Sequence, residues 1–133
     1  MKIICDMMGV GDEHYAIVLK NTSIILSGAD PEFVSADIDQ EIAQILTAGG
    51  ELSDLVTEIA GRRQQEPGDD LISALATANL DGEQLSTAEL ASFFILLVIV
   101  GSDTTRTAIS HALTLLTDHP DQARVAWVSG RRI

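Results

Sequence analysis

The chain has 133 residues, a length typical of one domain. Its 20 Asp and Glu residues against 8 Lys and Arg residues give a formal net charge of −12. An acidic surface is repelled by phosphates, so this charge argues against nucleic acid and against an anionic membrane surface as binding partners. Hydrophobic residues make up 46% and aromatic residues only 4%, and Ala, Leu and Ile supply most of the apolar content. That mixture favours packed helices over sheets and predicts an all-α fold.

The sequence shows no feature of secretion or of a membrane span. The apolar start of the chain is interrupted by Asp6, and it lacks the long apolar core of a signal peptide. The longest uninterrupted apolar run covers residues 93–100, whereas a spanning helix needs about 20 such residues. We therefore expect a soluble, cytoplasmic protein without a membrane span.

The first half of the chain reads as helices separated by turn signals. Residues 1–8 fit a helix closed by Gly9, and Asp12 and Glu13 suit the start of a second helix that runs to about Leu26. Apolar residues at steps of three and four between positions 38 and 59 predict an amphipathic third helix. The pair Gly49 and Gly50 interrupts that pattern, so we expect a bend or break there.

In the second half of the chain, a short capped helix and a turn precede the start of a long helix. Asp69 and Asp70 are placed to cap a short helix over about 70–79, and residues 81–83 form a turn. Ser86 and Glu89 then form a capping box, a hydroxyl followed three residues later by an acid.

The helix that this capping box opens should run over about 87–118, because its first strong breaker is Pro120. Thirty-two residues give a rod of about 48 Å. The segment 93–100 is apolar all round, so we expect it to be buried on every side, as in a protein larger than this chain.

A polar patch follows the apolar segment inside the same helix. Gly101, Asp103, Thr104 and Thr105 are poor helix formers in a place where good ones are expected. Residues that weaken a buried helix often occur at functional sites. The alternative is structural: Asp103 pairs with Arg106 at i,i+3, and the hydroxyls pack at a helix crossing.

Residues 100–105, Val-Gly-Ser-Asp-Thr-Thr, resemble the oxygen-activation motif in the long I helix of cytochromes P450. That motif reads Ala or Gly, Gly, any residue, Asp or Glu, Thr, and Thr or Ser. Four further segments resemble the family in the family's order, at residues 4–10, 67–75, 81–86 and 119–122. The resemblance covers about residues 1–122, equivalent to helices E to J of a bacterial, soluble member, and is only loose over 123–133. It implies that the chain, 1–133, is a single partial domain: a fragment of the P450 helical core around the helix 87–118.

The resemblance also implies a chemistry. In the family, haem (heme) activates dioxygen and the protein positions haem and substrate and delivers protons. Asp103 and Thr104 match the acid–alcohol pair that supplies those protons. The residues implied on the haem side are Val100, Gly101, Thr104 and Thr105, and those implied in the substrate pocket are Leu96, Ile99 and Val100.

By the same resemblance the parent is a haem-thiolate monooxygenase. It would use O2, a ferredoxin-type electron donor and a small hydrophobic substrate of the steroid, lipid or terpenoid class. Four residues depart from the family pattern: Val100 stands where a small residue is usual, Gly11 stands where many members have Pro, and Gly49 and Gly50 weaken the helix equivalent to G.

The larger departure is the absence of the cysteine loop that ligates haem and of the Glu-x-x-Arg signature. We therefore expect no turnover from these 133 residues alone, and marginal stability with a tendency to associate. The alternative function is that of a non-catalytic remnant acting as a helical interaction module.

The remaining candidates for chemistry have ordinary structural interpretations. His14, His111 and His119 lack metal-ligand spacing, so no metal site is predicted. Cys5 is the only cysteine; its helical, apolar neighbours predict a buried thiol.

Overall fold

The computed structural model describes residues 1–28, 38–78 and 84–129, with side chains as far as residue 125. These residues form six α-helices and one 3-10 turn, which confirms the all-α prediction. In chain order they are α1 (Lys2–Met8), the 3-10 turn (Asp12–His14), α2 (Tyr15–Ser27), α3 (Ile38–Gln65), α4 (Leu71–Thr77), α5 (Thr87–Asp118) and α6 (Pro120–Ser129). The predicted turn at 81–83 lies outside the described residues.

The chain divides into two compact units, Met1–Ser102 and Asp103–Ile133. The first unit holds α1 to α4 and the first half of α5, and it contains the hydrophobic core. Every one of these helices contributes to that core, whose largest fully buried side chains include Met8, Val18, Leu52, Val56, Ile59, Ile72, Leu90, Phe94 and Val98. The second unit holds the rest of α5 and α6.

The third helix runs without a break through Gly49 and Gly50, so the predicted interruption is wrong. Each glycine costs about 1 kcal/mol relative to alanine in a helix. Downstream of the pair, Leu52, Val56 and Ile59 are each at most 1% exposed. Burying one such side chain stabilises the fold by about 1.5–3 kcal/mol, so the buried face of α3 outweighs its two glycines.

The start of α5 is fixed by the capping box that the sequence predicts. The backbone N–H of Ser86 donates to Oε2 of Glu89 at 2.9 Å, and the Ser86 hydroxyl donates to the same oxygen at 2.7 Å. In return the backbone N–H of Glu89 donates to Oγ of Ser86 at 3.3 Å. These hydrogen bonds lower the pKa of Glu89 below its ordinary value, because they favour the carboxylate. The predicted ends of α5 are confirmed at Thr87 and Asp118.

The apolar segment of α5 is buried on one face and exposed on the other. Phe94 and Val98 are fully buried, whereas Phe93, Leu96 and Val100 are 41%, 60% and 49% exposed. The expectation of burial on every side is therefore not met among the described residues, because the core lies against only one side of α5.

A single carboxylate joins three elements of the first unit. Asp70 accepts a hydrogen bond from the backbone N–H of Ser73 at 2.8 Å and so caps α4, as predicted. Its other oxygen, Oδ2, lies 2.7 Å from Nε of Arg63 near the end of α3. Asp70 also packs on Gly9, which closes α1 at φ 76°; a side chain on Gly9 would overlap the Asp70 carboxyl group. Asp70 therefore holds the ends of α1, α3 and α4 together.

Replacing Asp70 by Ala should lower the free energy of unfolding by about 1–3 kcal/mol. The cap itself contributes about 0.5–2 kcal/mol, and the partly buried Arg63 also loses its ion-pair partner. Urea unfolding followed by circular dichroism measures the loss. Asp69→Ala is the matched control, since Asp69 is exposed and does not cap α4. Equal losses in the two variants would contradict the role assigned to Asp70.

Candidate functional site

Three apolar side chains form an exposed line along α5, which we call the open stripe: Phe93, Leu96 and Val100. Their spacing of three and four residues places them on one face of the helix. The P450 resemblance implies that Leu96 and Val100 lie in the substrate pocket. Phe93, which the resemblance does not include, shares their helix face, and its position three residues before Leu96 and seven before Val100 is the sequence signal for this.

The third predicted pocket residue does not lie on the open stripe. Ile99 directly precedes Val100, and successive residues of an α-helix are rotated by about 100°. It is half-buried and packs against the core of the first unit. Ile99 therefore contributes to folding contacts on this part of α5.

The predicted cofactor residue Gly101 lies against α1. A Cβ atom built on Gly101 would be 2.7 Å from Cδ1 of Ile4. The next residue, Ser102, is 9% exposed, and its hydroxyl lies 3.7 Å from Sδ of Met1. Gly101 therefore lies against α1, and Ser102 lies against Met1, the residue before α1.

The remaining polar residues of the motif open the second unit. The side chains of Asp103, Thr104 and Thr105 are all exposed. Asp103, Thr104 and Thr105 are successive residues of α5, so their side chains point in directions about 100° apart. An exposed carboxylate next to a hydroxyl can take protons from water and pass them on.

The first unit offers no thiolate. Cys5 is 2% exposed, as predicted, and burial raises the pKa of its thiol above the ordinary value. A protonated, buried thiol is a poor metal ligand. Among residues 1–28, 38–78 and 84–125, no three His, Cys, Asp or Glu side chains are grouped so that they could hold a metal ion.

Comparison with known proteins shows the family to which the chain belongs. The family profile described as Cytochrome P450 matches residues 19–125, which is most of the chain. The chain belongs to the cytochrome P450 family. It is 38% identical over 127 residues to a methyl-branched lipid omega-hydroxylase of Mycobacterium bovis, covering 96% of this chain and 28% of that P450. It is also 34% identical to a steroid C26-monooxygenase of Rhodococcus jostii, covering 92% of this chain and 24% of the relative.

Solved P450 structures share the arrangement of the helices. The structure of a Mycobacterium marinum cytochrome P450 in complex with pseudoionone matches with a TM-score of 0.79 and 36% sequence identity. That match covers 97% of this chain and 30% of the solved chain. The present chain thus spans less than a third of the length of these P450 relatives.

The family implies haem, and the residues of this chain fit only one part of a haem site. The open stripe is an apolar surface of the kind that lines a ligand pocket. Cys5 does not fit the role of an iron-binding thiolate, because its thiol is buried in the helical core. The helix that carries the stripe, α5, is long and apolar enough to cross a membrane by length and composition alone. The P450 profile covers that helix in full.

Proposed function

We propose that this chain supplies the oxygen-activation helix of a haem-thiolate monooxygenase that hydroxylates a small hydrophobic substrate. The observation that carries the proposal is the open stripe of Phe93, Leu96 and Val100. An exposed apolar surface suits the binding of an apolar molecule. The exposed carboxylate and hydroxyl of Asp103 and Thr104, which open the second unit, suit a reaction that consumes protons.

The substrate class follows from the chemistry of the stripe. None of its three side chains has a polar atom, so substrate affinity comes from removing apolar surface from water, about 25 cal/mol for each Å². The names of the relatives support a lipid or steroid substrate, and the pseudoionone complex supports a related small apolar molecule. Val100 is larger than the Ala or Gly of the motif, so we expect it to narrow the space above the reacting end of the substrate.

Thr104 and Asp103 act as the proton-delivery pair in this proposal. When bound, haem supplies the activation of dioxygen. The hydroxyl of Thr104 accepts and donates a proton at Oγ1, and the carboxylate of Asp103 replaces that proton from solvent. The remaining implied haem-side residues are Val100, on the open stripe, and Thr105, in the second unit.

The thiolate that would bind the haem iron is the part of the proposed site that these residues do not supply. Because Cys5 is the only cysteine and is buried, we propose that the 133-residue chain alone has no turnover. The ligand, the Glu-x-x-Arg signature and the docking surface for a ferredoxin-type donor would belong to the remainder of a longer P450, working in the cytoplasm.

A second candidate function rests on the same stripe. Exposed apolar side chains in a row are typical of helix-to-helix contact, so a chain that never binds haem could act as a helical interaction module. The two functions differ in whether haem binds with a thiolate ligand.

Haem reconstitution separates these two functions. The 133-residue chain, mixed with haem, reduced and exposed to carbon monoxide, should give no thiolate-type absorption band. A protein in which the same residues are continued by a P450 cysteine loop should give that band. A thiolate-type band from the 133 residues would overturn the assignment of the ligand to another segment. Its absence from the continued protein would favour the interaction module.

A further inference from the structure

The glycine of the α5 motif lies on the side of the helix that faces α1. Gly101 is half-buried, and the atom nearest to its missing side chain is Cδ1 of Ile4, at 2.7 Å from the position of a Cβ. Beyond Ile4, the described residues place no other side chain within 4 Å of that Cβ position. The neighbouring contact between Ser102 and Met1 joins the same two helices.

The helix periodicity independently places Gly101 on the buried face of α5. Gly101 is seven residues after Phe94 and three after Val98, both of which are fully buried. Residues at these spacings share a helix face. The open stripe, in contrast, runs through Val100, which is rotated by about 100° from Gly101.

We infer that Gly101 is a helix-packing residue: its missing side chain gives α1 the room to seat Ile4 on α5. This assignment does not rest on the proposed function, and it differs from the role that the motif implies, in which the glycine lets haem approach the helix. It predicts that a larger side chain at position 101 lowers the stability of the haem-free chain. The loss should come from the contact with Ile4.

A double-mutant cycle in the 133-residue chain tests the inference, with urea unfolding followed by circular dichroism. Gly101→Leu should lower the urea midpoint, because the new side chain collides with Ile4. The matched control is Gly61→Leu on α3, where the described residues place no atom within 4 Å of a Cβ position, apart from the backbone of α3 and the two neighbours in the chain. Leu is a better helix former than Gly, so this control should raise or keep the midpoint.

The second arm of the cycle removes the residue that collides. Ile4→Ala should lower the midpoint of the wild-type chain but raise that of Gly101→Leu. If Gly101→Leu fails to fold, the same comparison is made on soluble yield, where Gly101→Leu/Ile4→Ala should recover what Gly101→Leu loses. The inference is overturned if Gly101→Leu behaves like Gly61→Leu, or if Ile4→Ala lowers midpoint or yield equally in both backgrounds.

Discussion

Replacing Phe94 by Ala should lower the free energy of unfolding of the chain by about 3–5 kcal/mol. Phe94 is fully buried at the centre of the core face of α5. The substitution removes its transfer free energy and leaves a cavity that neighbouring side chains fill only in part. Complete domains are stable by only about 5–15 kcal/mol, and this chain is expected to be marginally stable, so the variant should unfold at a much lower urea concentration or fail to fold. Urea unfolding followed by far-ultraviolet circular dichroism measures the change.

The adjacent residue provides a control of identical chemistry. Phe93 precedes Phe94 directly but is 41% exposed on the open stripe. Phe93→Ala should therefore change the free energy of unfolding by less than about 1 kcal/mol, since surface substitutions have small effects. Similar losses in the two variants would show that α5 is covered on both faces, in contradiction to the fold described above.

Removing the proton-delivery pair should have the largest effect on activity. In a complete, haem-loaded protein that contains this chain, Thr104→Ala and Asp103→Asn should each lower the rate of product formation by about 10²-fold, the lower end for general acid catalysis. The measurement is product formation at saturating substrate, in H2O and in D2O.

Two substitutions further along α5 are the controls for this prediction. Thr114→Ala and Asp118→Asn remove a hydroxyl and a carboxylate from the same helix outside the motif, and should leave the rate and its dependence on D2O unchanged. Because proton transfer becomes slower in the two motif variants, their solvent isotope effect should rise. Unchanged rates in Thr104→Ala and Asp103→Asn would remove these residues from the proposed function.

Local signals in the sequence were enough to place most helix ends. The capping box of Ser86 and Glu89, the glycine at position 9 and the proline at 120 act through contacts within a few residues, so their effect is visible in the sequence. Gly49 and Gly50 were misjudged for the opposite reason. Their local cost is real, but it is exceeded by the burial of Leu52 and other side chains whose partners lie on distant segments.

For the candidate site, too, the sequence predicts features that depend on neighbouring residues but not those that depend on distant segments. The motif 100–105 could be located from its residue types and its resemblance to P450s. Which of its side chains face the core depends on where α1 lies, and the sequence does not give that position. Gly101 therefore lies against Ile4, although the motif alone groups it with Val100 and Thr104.

The three-way junction at Asp70 has a consequence for the order in which the chain folds. Arg63 and Asp70 are close in sequence, so their ion pair closes a short loop at low entropic cost. The contact between Asp70 and Gly9 spans most of the first unit and closes a much longer loop. Because the contact between Arg63 and Asp70 is local, the end of α3 and the start of α4 can come together early at Asp70, whereas α1 docks onto them late. The larger entropic cost of loop closure therefore falls on the docking of α1.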